Sequence, residues 1–162
     1  MNTKIASGQP IDLESMGISV IPCLGKNNLD RPGAIFQAFG IPVYTIWDSD
    51  CGTGVNNQQY NSKRTNQRLL RLCRVNVEDW PEEVSTRHAC FKVKLETTMR
   101  NEIGEDRYDR LVQKWSEQFD YERPDAIKSP QVMHGVVLDA QNEGFACPTL
   151  VAIIRAIIAL KG

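Results

Sequence analysis

The stretch Ile41-Pro42-Val43-Tyr44-Thr45-Ile46-Trp47-Asp48-Ser49-Asp50 decides how this chain is read. Val43 to Ile46 are β-branched or aromatic without interruption, which predicts a strand through Trp47. Turn-forming residues follow at once: Ser49, Cys51-Gly52, Thr53-Gly54 and Asn56-Asn57. The strand therefore runs into two carboxylates spaced i and i+2. In extended backbone such residues point to the same side, so Asp48 and Asp50 are expected to present their oxygens together. Close like charges repel, and a hard divalent cation removes that repulsion. A plain turn is the competing reading, since Asp and Ser both favour turns.

Upstream, Ile18 to Cys23 reads as a short strand, with Pro22 near its end. Leu24-Gly25-Lys26-Asn27-Asn28 is a loop. Leu29 to Phe39 follows as a helix with Pro32 in its first turn and Gly40 as its stop. Strand, helix and strand with short connections predict a right-handed βαβ unit in a parallel sheet. Ligands bind such sheets beyond the carboxyl ends of the strands. Lys26 and the Asp48/Asp50 pair both fall on that rim.

Further along, Ser62 to Arg74 is expected to be a helix with Leu69, Leu70 and Leu72 inside and Lys63, Arg64, Arg68, Arg71 and Arg74 outside. A solvated face is the plain reading of those cations, and a phosphate-contacting helix is the functional one. Val75 to Arg87 reads as irregular. Ala89 to Leu95 predicts a third strand followed directly by Glu96. Thr97 to Ile103, Glu105 to Phe119, Val132 to Gln141 and Cys147 to Leu160 predict helices. The last is apolar nearly all round, as in a helix buried against a sheet or a partner. Residues 1–16 read as a leader or linker. Residues 17–162 read as one compact domain with a C-terminal helical extension.

The chain has 162 residues, enough for one domain with a proper core. A formal net charge of -1 argues against a globally basic nucleic-acid binder, while leaving room for a local basic patch. The longest apolar run, Leu150 to Leu160, is short of a membrane span and contains Arg155. Met1-Asn2-Thr3-Lys4 does not open a secretory signal. The five cysteines form no C-x-x-C pair, so free thiols in a reducing cytoplasm are expected.

Taken together, Gly17-Ile18-Ser19-Val20-Ile21-Pro22, Gly25-Lys26-Asn27-Asn28, and Phe39-Gly40-Ile41-Pro42-Val43-Tyr44 leading to Asp48-x-Asp50 resemble the Toprim domain of OLD-family ATP-dependent endonucleases. The likeness continues through Cys90-Phe91, Leu95-Glu96, Glu102-Ile103-Gly104 and Ile127-Lys128-Ser129-Pro130. It implies an α/β Toprim-like, Rossmann-like fold, with a parallel sheet flanked by helices and additional C-terminal helices. It also implies a metal-dependent DNA endonuclease using Mg²⁺ or Mn²⁺. Carried over by position, Asp48 and Asp50 are metal ligands and Glu96 is a ligand or proton-transfer group. Lys128 stabilises charge on the phosphate, and Lys26 is a phosphate or DNA contact. For Glu96 the alternative is a first-turn glutamate favoured by the helix dipole, and for the lysines a plain surface position.

The pattern departs from the family in two places. Residues 1–17 hold no Glu-Gly motif and no apolar first strand, and no G-x-x-x-x-G-K-[ST] loop of an ATPase occurs. The chain is thus expected to be a partial Toprim domain missing its first strand, weak or inactive in isolation. Its expected partners are DNA, an ATPase domain or subunit, and a second copy covering the open sheet edge. The alternative function is a non-catalytic Toprim-like partner-binding or regulatory module.

Overall fold

The computed structural model describes residues 3–4 and 10–160, with side chains from residue 12 onward. Of the expected leader, residues 1–2 and 5–9 lie outside the described residues. Strands β1 (Thr3–Lys4) and β2 (Pro10–Ile11) pair antiparallel within it. The chain divides into two compact units.

The first unit comprises Met1–Pro22 and Ile103–Ala146. Its body is α4 (Glu105–Phe119), the short α5 (Arg123–Ala126) and α6 (Pro130–Asn142). Helix α4 buries Tyr108, Leu111, Val112 and Ser116 along one face, and α6 buries Val132, Gly135, Val136 and Ala140. Arg107 and Arg110 at the start of α4 bind Glu143 just past the end of α6, while Lys114 and Trp115 bind Asp139 one turn earlier. That order makes the two helices antiparallel. Ser129 accepts the Val132 N–H and Pro130 occupies the first turn, which sets where α6 begins.

The second unit comprises Cys23–Glu102 and Cys147–Gly162. A 3-10 turn (Lys26–Asn28) leads into α1 (Asp30–Ala38). Strand β3 (Thr45–Asp48) is followed by α2 (Asn56–Cys73), β4 (Glu83–Val84), β5 (His88–Phe91), α3 (Leu95–Ile103) and α7 (Pro148–Ala159). The strands form one sheet in the order β3-β5-β4. Strand β3 runs parallel to β5 with Thr45 opposite His88 and Asp48 opposite Phe91, whereas β4 is antiparallel.

Side chains alternate across this sheet. Trp47 and Cys90 meet Leu69, Leu70 and Cys73 of α2 on one face. Ala89 and Phe91 meet Ile153 and Ile157 of α7 on the other. The apolar last helix is thus a sheet-covering helix.

Several expectations of the fold are corrected. Ile18 to Cys23 does not form a strand, and its backbone is irregular. Pro22 cannot donate to a ladder, and Val20 and Ile21 stay exposed rather than filling a core. The βαβ unit through α1 therefore does not exist. The sheet is mixed rather than parallel, and its single parallel pair is joined through α2 and β4. Val75 to Arg87 is also less irregular than expected, because β4 sits within it as the outer arm of a tight hairpin. Ser85 closes that hairpin, donating its N–H to the His88 carbonyl.

Candidate functional site

Strand β3 delivers Asp48 at its last position, and the chain then turns sharply. Asp50 has φ 59°, in the left-handed region that Asp tolerates better than most residues. The extended geometry that would place Asp48 and Asp50 side by side ends at Asp48. The two carboxylates consequently meet different partners.

The Asp48 Oδ1 accepts the Leu95 N–H at 2.9 Å, at the first residue of α3. This is a carboxylate at a helix N-terminus, where the orphan N–H groups and the dipole both favour it. Burial nonetheless dominates, pushing the Asp48 carboxyl up to about 6. The Leu95 N–H opposes that shift, and the charges of Glu96 and Asp50 add to it. Glu96 lies in the first turn of α3, as the dipole reading expects. Its Oε2 is buried and has no hydrogen-bond partner. A buried carboxylate oxygen without a donor is costly, and a hard cation is one partner that would satisfy it.

Asp50 is occupied. Its Oδ2 lies 2.8 Å from Lys26 Nζ. The same ammonium donates to the Ser49 carbonyl at 2.9 Å, to the Asp48 carbonyl at 3.1 Å and, more weakly, to Asn66 Oδ1 at 3.4 Å. The Lys26 side chain is only 10% exposed, which is low for a lysine and decides against a plain surface role. Its ammonium faces inward onto the strand end.

Two residues that sequence reasoning passed over complete the arrangement. Asn66, fully buried on α2, donates Nδ2 to the Ser49 carbonyl at 3.0 Å and to the Asp79 carbonyl at 2.9 Å. Ser49, fully buried between the two aspartates, donates Oγ to the Pro81 carbonyl at 2.6 Å. The signal was an amide at a position where the helical period calls for an apolar residue. Only a polar partner inside the fold accounts for that.

The second unit thus brings together Lys26, Asp48, Asp50 and Glu96. Lys128 belongs to the first unit, exposed in the turn before α6. Its neighbours Ser129 and Pro130 are accounted for by capping. Among the described residues no three His, Cys, Asp or Glu side chains converge as a metal-binding group. The donors that fit a hard cation are the oxygens of Asp48 and the unpartnered Oε2 of Glu96, while the Asp50 Oδ2 is held by Lys26.

Residues 3–50 match the family model described as "Overcoming lysogenization defect protein-like, TOPRIM domain". The matched segment ends on Asp50. The match stops before α2, β5 and α3, so Asn66 and Glu96 lie outside it. No curated protein and no solved structure matches the chain. No helix among the described residues is long and apolar enough to cross a membrane.

Proposed function

We propose that this chain is a metal-dependent nuclease domain in which Asp48 and Glu96 hold Mg²⁺ or Mn²⁺ against a DNA phosphodiester. The observation that carries this reading is the buried, unpartnered Glu96 Oε2 in the first turn of the helix whose leading N–H binds Asp48. Bound there, a divalent cation supplies an activated water and neutralises charge on the phosphate. The protein's part is to hold the two carboxylates at a strand end and a helix start. These elements are fixed to one another by the Leu95–Asp48 hydrogen bond. Lys26 neutralises Asp50 and ties down the turn that follows Asp48. Lys128 is assigned to the phosphate on the strength of the family likeness alone.

Hydrolysis by the chain alone is expected to be slow, because the third carboxylate is engaged by Lys26. That ion pair also favours a second reading, a Toprim-like module that binds a partner without cleaving DNA. Titration calorimetry with Mn²⁺, beside a plasmid-nicking assay, separates the two. The nuclease reading expects a binding heat that Asp48→Ala and Glu96→Gln both abolish, together with nicking lost in the same variants. Equal heats in wild type and Asp48→Ala would remove the metal site. Binding without any nicking would leave the non-catalytic module.

A further inference from the structure

Helix α2 carries Lys63, Arg64, Arg68 and Arg71 and not one carboxylate, in a chain whose net charge is -1. At 100° per residue, Tyr60, Arg64, Arg68 and Arg71 fall on one face, opposite the buried Leu69, Thr65 and Cys73. The stripe runs about 16 Å at the helical rise of 1.5 Å per residue. Among the described residues, Arg64 and Arg71 have no carboxylate partner, whereas Lys63 is held by Asp79 and Arg68 by Asp30. A surface stripe built merely for solubility interleaves both signs of charge. α4 does so, with four acidic and three basic residues, and its arginines and lysine are paired.

Two further features join this stripe. Tyr60 is 61% exposed at its start, with the Arg64 guanidinium 5.8 Å from the ring centroid. An open depression of about 540 Å³ flanks Arg68, lined by Asn27, Asn28, Asp30, Arg31 and Pro32 as well. Arg31 is exposed there. Asn27 is fixed to α2 through Thr65, and the residue before it is Lys26, on the Asp48–Asp50 turn. Arg68 joins the stripe to the depression, and Asn27 in the depression's wall is the residue after Lys26.

We infer that the Tyr60–Arg64–Arg71 face of α2, with Arg31 at its side, is a track for a single strand of nucleic acid. The cations match a phosphate backbone. The exposed, arginine-backed tyrosine offers a stacking surface that only an unpaired base can use, because duplex bases hide their faces. The inference rests on the proposed nuclease reading only for directing the strand toward Asp48 and Glu96. The binding itself requires no metal.

The test is fluorescence anisotropy of the full chain with a labelled oligothymidylate and with a duplex of equal length, in EDTA across a salt series. Single-strand binding is expected to be the tighter. Arg64→Gln/Arg71→Gln is expected to weaken it by an order of magnitude or more and to reduce the slope of log affinity against log salt by about 1.4. Arg64→Lys/Arg71→Lys keeps most of the affinity. Tyr60→Ala is expected to cost about tenfold on the single strand and nothing on the duplex, with Tyr60→Phe restoring it. Circular dichroism checks that these exposed substitutions leave the helix intact. Unchanged affinity and slope in the Arg64→Gln/Arg71→Gln protein would overturn the track. Equal loss on duplex and single strand in Tyr60→Ala, or tighter duplex binding, would overturn its single-strand character. A chain that binds as expected yet shows no metal heat keeps the track and loses the nuclease.

Discussion

Replacing Lys26 by methionine keeps the aliphatic stem and removes the ammonium. Four acceptors lose their donor at once: Asp50 Oδ2, the carbonyls of Asp48 and Ser49, and Asn66 Oδ1. Breaking a fully buried ion pair from one side costs about 3–5 kcal/mol. Here the Asp50 side chain is 32% exposed, so water rehydrates part of the stranded carboxylate. The Ser49 carbonyl also keeps its bond from Asn66. A loss of about 2–3 kcal/mol is therefore expected, equivalent to a fall of roughly 1–2 M in the urea midpoint. Equilibrium unfolding followed by tryptophan fluorescence reads it, since Trp47 is buried in the same unit. In the double variant Lys26→Met/Asp50→Asn neither charge is left unpaired. It is expected to recover about 1–2 kcal/mol relative to the sum of the single changes. A Lys26→Met midpoint within experimental scatter of wild type, or strict additivity with Asp50→Asn, would show that the ammonium does not hold this turn.

Two more consequences are open to measurement. Gly135 lies inside α6 where a Cβ would overlap the Trp115 ring. Gly135→Ala should thus destabilise the α4–α6 pair by about 1–3 kcal/mol in spite of alanine's better helix propensity, and an unchanged or raised melting temperature would contradict the packing. His88 is fully buried, stacked on Trp47 at 5.2 Å, with Ser85 Oγ 2.9 Å from Nδ1 and Glu83 as the only charge facing it among the described residues. Burial pulls its pKa below the ordinary 6.5, against the opposing pull of Glu83. A depressed pKa means that the fold favours neutral imidazole. Stability is therefore full above pH 6.5 and declines as the pH falls below it, a decline that should be shallower in His88→Gln.

The acidic strand end was legible in the sequence because strand propensity and turn chemistry are both local. Val43 to Ile46 cannot easily be anything but extended, and Ser49 to Asn57 cannot easily continue the strand. Helix α4 was legible to the residue for the same reason, since Gly104 and the period of Tyr108, Leu111, Val112 and Trp115 bound it. The Ile18–Cys23 strand was misread because composition alone cannot supply a neighbouring strand. Pro22 lacks the N–H that a ladder needs, and Val20 and Ile21 stay exposed instead of packing into a core.

What the sequence by itself determined is the order of charged groups along the chain: a lysine in a glycine loop, two aspartates where a strand ends, and a glutamate beyond the next strand. Their spacing along the chain is a one-dimensional fact, and short-range backbone preferences convert it into strand ends and helix starts. Only the tertiary structure decided how those charges are shared. A residue's partners depend on the direction its side chain takes after the last turn of backbone. At Asp50 that turn is left-handed. It sends one carboxylate to Lys26, while Asp48 accepts from the first residue of α3 and the Glu96 Oε2 is left without a donor.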